Sequence, residues 1–295
     1  MDTKQNILLV PVDFGDQYHL ALNYAKGLVQ TINGQIHLLH VLDIRDWWLD
    51  DIEPEKLVND AFNKLLEISN THQLPQGTIF RVFQGKRHRK IVEYANDVNA
   101  RYILMADNYP GNIGEQKLGS TLANVIITAK QPVITVKSLP QNVFKKILVP
   151  LDLAHDCNLK LFNSISLALQ YNAELNIVSV VFGSIDEEDS KIQEKIDKHS
   201  RLYRENHIKH SVKILRKDED FAYRAIIDYA GEIGCDSIMI MPHRESVGID
   251  NYLGAFAHHI INESPIPVVS LNNAASANTK RGIISSILDP LNLFS

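Results

Sequence analysis

Residues 106–121, ADNYPGNIGEQKLGST, read as a loop that runs into a helix and presents its backbone to an anion. Gly111, Gly114 and Gly119 leave amides uncovered, and Ser120 adds a hydroxyl where the helix starts. Upstream, GKRHRK (85–90) places Lys86, Arg87 and Arg89 at another helix start. Helix N-termini favour negative charge, so this cluster either meets a phosphate or another small anion or lies in solvent. Farther along, Arg244 is a cation able to draw in an anion in the same way. Asp13 and Asp152 each follow a short apolar run, where a lone carboxylate caps the next loop or contacts a ligand. His155, Cys157, His243 and the His258-His259 pair are zinc-type ligands, but no C-x-x-C or H-E-x-x-H spacing joins them. No metal is expected, and one histidine of the pair should be packed or capped within its helix. Without a Ser-His-Asp order, a nucleophile elbow or a G-x-x-x-x-G-K run, no catalytic residue is assigned. Two tryptophans in RDWWLDD (45–51) either cover the core or stack on a base or a partner protein.

What these residues can do depends on the elements that carry them, and those elements occur twice. ILLVPVDF (7–14) aligns with KILVPLDL (146–153), matching Pro11 to Pro150 and Asp13 to Asp152. IHLLHV (36–41) aligns with LNIVSV (175–180), HRKIVEYANDVNARYILMADN (88–108) with YRAIIDYAGEIGCDSIMIMPH (223–243), Gly119 with Gly254, and QPVITV (131–136) with IPVVSL (266–271). Blocks kept in order over such a span mark a tandem duplication. Each half alternates short β-branched runs with helical-period segments, the pattern of a five-stranded parallel sheet covered by helices on both faces. In the first half, strands are expected near 6–12, 35–41, 78–84, 101–106 and 132–137, and helices near 17–33, 54–73, 87–99 and 119–129. The second half should repeat the order after a short polar linker, SLPQNVFKK (138–146). This α/β reading divides the chain into domains at 1–138 and 145–271 with an extension at 272–295. Ligands should gather at the carboxyl ends of the strands, the edge that carries Asp13, Asp152 and the opening loop.

The strand-end VPVD, the βα module and the late Gly-Ser helix start followed by a Pro-Val strand resemble the universal stress protein family in its tandem form. The resemblance covers 5–137 and 145–271. It implies that Asp13, with Val41, faces an adenine ring, that Asp152 and Val180 do so in the second half, and that a Gly-x2-Gly-x9-Gly-Ser/Thr loop wraps phosphates. Anchored on Gly119-Ser120, that pattern places its upstream glycines at Ala106 and Tyr109. Anchored on Gly254-Ala255, it places them at Met241 and Arg244, and the hydroxyl is lost. Gly111 and Gly114 are out of register, and PGNIG is either a rebuilt loop or a turn. The nucleotide scaffold is thus expected twice with its phosphate grip damaged twice. ATP, ADP or AMP would be held only weakly, and the second half should hold ATP with no useful affinity. The implied function is a stress-response regulatory or binding module; the rival reading is a weak nucleotide hydrolase using a rebuilt loop in the first half.

Composition narrows the classes further. With 295 residues, 45% hydrophobic content, a net charge of −5 and two cysteines, the chain suits two soluble domains in a reducing cytosol, with no field that favours nucleic acid. The start MDTKQNILLVPVD reads as lacking a signal peptide, and no apolar run is long enough to span a bilayer. PVITVKS (132–138) and PVVSL (267–271) are apolar edge strands, hazardous if exposed, so the two sheets should pair through them as an internal pseudo-dimer, compatible with a further homodimer. The tail begins with a polar tether and becomes RGIISSILDPLNLFS, whose apolar stripe either folds back or docks on a partner protein, a membrane protein's cytosolic face included.

Overall fold

The structure is a computed structural model and describes residues 6–43, 53–107, 118–151, 158–181, 186–216, 222–242, 244–245 and 252–271. In the first half the chain runs β1 (Asn6–Pro11), α1 (Tyr18–Ile32), β2 (Gly34–Leu42), α2 (Pro54–Thr71), β3 (Ile79–Gln84), α3 (Arg87–Asp97), β4 (Tyr102–Ala106), α4 (Ser120–Thr128) and β5 (Val133–Val136). The second half runs β6 (Lys146–Pro150), α5 (Asn158–Tyr171), β7 (Glu174–Val181), α6 (Asp186–Glu205), β8 (His210–Arg216), α7 (Ala222–Glu232) and β9 (Ser237–Ile240). A small hairpin follows, β10 (Arg244–Glu245) and β11 (Tyr252–Leu253), then α8 (Ala255–Glu263) and β12 (Val268–Ser270). The hairpin is the one element here that strand patterning does not anticipate: two-residue strands carry no periodicity to read.

The duplication extends to the backbone. Asn33 after α1 and Asn172 after α5 both take left-handed φ, 48° and 49°, and Asn99 and Gly234 do so after α3 and α7 at 48° and 69°. A left-handed residue ends a helix by turning its amide back onto the last carbonyls, and Asn or Gly tolerates that conformation best. At Asn33 the turned amide reaches the carbonyl of Val29.

Strands lie in the order β3-β2-β1-β4-β5-β12-β9-β6-β7-β8, a single sheet of ten. Neighbours within each half are parallel, whereas β5 and β12 pair antiparallel with Ile134 opposite Val269. The two apolar edges are therefore hidden against each other. Alternate strand residues point to opposite faces. Leu8 and Val10 join one apolar cluster under α1, α2, α5 and α6; Ile7 and Leu9 join another under α3, α4, α7 and α8. Both clusters cross the junction between the halves, and each fully buried aliphatic side chain in them contributes roughly 1.5–3 kcal/mol.

The linker is less polar in effect than its composition suggests. Phe144, at φ 53°, is fully buried, with its ring 4.6 Å from Tyr171 and 6.0 Å from Tyr102. The Tyr171 hydroxyl donates to that of Tyr102 at 3.0 Å, one tyrosine coming from each half. A lone aromatic in a short connection finds its burial at the junction, and so fixes one half against the other.

Candidate functional site

β1 is flanked by β2 on one side and β4 on the other, so the helices that follow β1 and β4 diverge and open a crevice at the strands' carboxyl ends. A cavity of about 240 Å³ lies there, lined by Pro11, Val12, Asp13 and Tyr18, by Leu39 and Val41, by Arg87 and Ile91, and by Met105, Ala106, Asp107 and Gly119 through Leu122. Asp13, Val41, Arg87, Gly119 and Ser120, scattered over the first half's sequence, thus meet in one space.

The turn after β1 is held from below. The Val12 amide donates to the Leu39 carbonyl at 2.7 Å, and buried His40 donates from Nδ1 to the Val12 carbonyl at 2.7 Å. Phe14, at φ 62°, stacks on the His40 ring at 4.0 Å, with Lys64 Nζ 5.3 Å from the Phe14 ring. Exposed Asp13 accepts from the Gly15 amide at 3.0 Å. The carboxylate therefore caps its loop and lines the cavity at once, so the two roles open to it in the sequence are not exclusive.

Arg87 is the first residue of α3, aimed at the cavity after a turn in which Gly85 takes φ 140° and its amide donates to the Leu42 carbonyl at 2.9 Å. Few residues other than glycine adopt that conformation. Arg87 is half-buried; Lys86 and Arg89 are exposed and stand outside the cavity lining. Lys90 of the same run is paired with Glu93 at 2.7 Å. On the opposite wall Gly119 precedes α4 at φ −58°, an angle open to any residue, and a Cβ added there would meet no atom of the described residues within 4 Å. Gly111 and Gly114 lie outside the described residues.

Asp107 escaped the sequence reading, because the glycine pattern drew notice to its neighbours Ala106 and Tyr109. It is 5% exposed at its side chain and pairs with Lys137 at 3.0 Å; Lys137 also donates to the Asn262 carbonyl of the second half. Its signal was position alone, a carboxylate one step beyond a strand on the ligand edge. A second cavity, of about 290 Å³, lies at the junction between the halves beyond this pair, lined by Gln17, Asp107, Lys137 and residues 262–265.

In the second half, Gly254 precedes α8 as Gly119 precedes α4, and Val180 is half-buried in β7 against the core. Met241, the counterpart of Ala106, is buried in the apolar cluster, with Asn163 Nδ2 3.8 Å from its sulfur. Arg244 lies in the hairpin, its backbone opposite Leu253. Asp152, the Trp47-Trp48 pair, His155, Cys157, His243 and the tail 272–295 lie outside the described residues. His259 bonds to Glu263 at 3.1 Å and stacks on Tyr223 at 4.4 Å, the helix-packed fate expected for one of that pair. Among the described residues no group of three or more His, Cys, Asp or Glu is arranged around a common point. Burial pushes the Cys235 thiol up to about 12, which leaves it a poor nucleophile at neutral pH.

Comparison with known proteins agrees with this architecture. The model of the universal stress protein family matches residues 5–137 and again 144–271. A universal stress protein of Methanocaldococcus jannaschii is 29% identical over 158 residues, covering 46% of this chain and 98% of that one. Among solved structures, a universal stress protein from Archaeoglobus fulgidus superposes with a TM-score of 0.67 at 21% identity, covering 91% of this chain and 97% of its own. A functionally unknown protein from Pseudomonas aeruginosa does so with a TM-score of 0.63 at 16% identity, covering 94% and 98%. At those identities the two structures speak for the fold alone. The chain belongs to the universal stress protein family and carries two of its modules in tandem. No helix among the described residues is long and apolar enough to cross a membrane.

Proposed function

We propose that this chain is a stress-response binding module of the cytosol that senses a small adenine-nucleotide-class ligand through one working site, in the first half, and transmits occupancy by association rather than by turnover. The observation that carries the reading is the convergence of Asp13, Val41, Arg87, Gly119 and Ser120 on one cavity at the switch point of the sheet. A flat ring suits the apolar wall of Leu39, Val41, Ile91 and Met105; Asp13 offers acceptors to an exocyclic amine, and the hydroxyls of Ser120 and Thr121 with Arg87 meet polar groups. The division into domains 1–138 and 145–271 with an extension at 272–295 belongs to the same proposal. In the second half Met241 fills the place of Ala106 and Ala255 supplies no hydroxyl, which argues against a second site of equal strength.

Calorimetric titration of the whole chain with AMP, ADP and ATP, with and without magnesium, tests this. One site per chain is expected, weakened at least tenfold by Gly119→Ala, since the new methyl enters the cavity, with the melting temperature unchanged within a degree or so. Two equal sites, or binding indifferent to Gly119→Ala, would overturn the reading.

A further inference from the structure

We infer that the C-terminal extension folds back over the first half and lays its apolar stripe, Ile283, Ile284, Ile287 and Leu288, along the outer flank of α2 at Phe62 and Leu66. Phe62 and Leu66 do not line the first-half cavity, so this contact stands apart from the function proposed above.

The two halves treat this helix differently. Ala61, Leu65 and Ile68 of α2 are buried, as are Ile196, Ser200 and Tyr203 at the same spacing in α6. In that register Phe62 and Leu66 correspond to Asp197 and Arg201. Asp197 and Arg201 are exposed charges, at home in water, whereas Phe62 and Leu66 are apolar, one turn apart on one flank, and 39% and 37% exposed. That flank faces the outer end of the sheet. Phe62 meets the ring of Phe80 on the edge strand β3 edge-on at 6.2 Å, whereas Lys64, across the helix, reaches Phe14 beside β1 at 5.3 Å. A single exposed apolar residue is ordinary, but a pair continued by Phe80, at positions where the duplicated copy is charged, marks a surface with an occupant.

The path of the chain names the occupant. Ser270 of β12 lies opposite Val133, the first residue of β5, so the chain leaves β12 at the edge where the first half's strands begin. α2 joins the parallel strands β2 and β3 and therefore runs back toward that same edge, with Leu66 in its last two turns. The antiparallel β5–β12 pair relates the halves by an approximate two-fold. The linker after β5 crosses to the second half, and the same symmetry turns the chain after β12 toward the first. From β12 to β3 is five strand spacings, about 24 Å, while the twelve steps from Leu271 to Ile283 reach up to about 40 Å. At helical spacing Ile283 with Ile287, and Ile284 with Leu288, repeat the one-turn interval of Phe62 and Leu66, and Pro290 ends the segment. Charge agrees: Lys280 and Arg281 precede the stripe, while α2 has exposed Glu67 beside Leu66 and no basic residue in its last turn.

The test is hydrogen exchange of the whole chain, read by mass spectrometry at two protein concentrations. Amides of 283–289 are expected to exchange at least tenfold more slowly than those of an open segment, equally at both concentrations. Phe62→Asp with Leu66→Arg, which places the second half's residues at exposed positions, should return them to the open rate with circular dichroism unchanged. Ile287→Asp with Leu288→Asp should do the same from the other side of the contact, and Asp197→Ala with Arg201→Ala should leave the protection as it was. Exchange at the open rate in the unaltered chain overturns the inference, and so does protection indifferent to Phe62→Asp with Leu66→Arg, which would seat the extension elsewhere. Protection that grows with concentration overturns it in favour of the extension of a second copy.

Discussion

The cavity of the first half and the corresponding edge of the second stand on matching strands, and they differ in what the strands' ends carry. Ala106, Asp107 and Ser120 in the first half are Met241, Pro242 and Ala255 in the second, and Arg87 corresponds to Ala222. Strand residues were held by the core: Leu9 and Leu148, Ile103 and Ile238 are all fully buried. Residues just beyond the strands are less constrained by that core, so a duplicated copy is free to change them. Met241 is a buried side chain in the cluster under α5 and α6, where its counterpart Ala106 is only partly buried and borders the cavity. One copy of the scaffold can keep a pocket while the other becomes packing for the pair.

Exchanging those residues is the strongest way to break the comparison. Ala106→Met should abolish ligand binding, by 1,000-fold or more in affinity, because the new chain enters the cavity; circular dichroism and melting should show the fold retained. Binding that survives within tenfold would mean that the cavity is not the site. The reverse exchange, Met241→Ala, should lower stability by about 2–4 kcal/mol through the buried space it opens, read by urea unfolding, and should create no second ligand site. A new site of the first one's strength would show that Met241 alone separates the halves.

A smaller effect sharpens the comparison on the sheet itself. His37 on β2 corresponds to Asn176 on β7. His37 is buried, accepts from the Tyr94 hydroxyl at 2.8 Å and donates to Gln35 Oε1 at 3.2 Å. Burial first, and the nearby Arg81 charge second, hold its pKa down at about 4, against an ordinary 6.5. The unfolded chain thus takes up a proton between pH 6.5 and 4 that the folded chain refuses, so the His37 contribution is fully present above pH 6.5 and is lost as pH falls toward 4. Asn176, bonded to Ser211 at 2.8 Å, has no such dependence. His37→Asn should flatten the loss of stability between pH 7.5 and 5 by on the order of 1 kcal/mol. An unchanged pH profile would show that the ring titrates normally.

Much of this molecule was legible from the sequence because its signals are local. The apolar run ILLV, the four-residue VITV and the helical stripe of Ala61, Leu65 and Ile68 each state an element and its buried face, and the element bounds agree within a residue or two. Repetition strengthened each reading, since ILLVPVDF and KILVPLDL state the same strand twice. The edge on which the first-half cavity opens was legible in the same way, through the strand-end Asp13 and the Gly-Ser helix start.

What only the tertiary structure decided were the relations between distant residues. Phe144 looked like part of a polar connection, and only the junction of two cores gives its ring a place to be buried. Arg87 and Arg89 are indistinguishable as letters two positions apart, but the helix turns one toward the cavity and the other into solvent. Asp107 became significant through Lys137 and Asn262, partners from a following strand and from the other half. The sequence by itself determined two parallel α/β modules and the edge on which the cavity opens, because hydrophobic period and turn chemistry act over a few residues. The charge that the cavity presents depends on which side chains converge across the sheet, and only the folded chain brings them together.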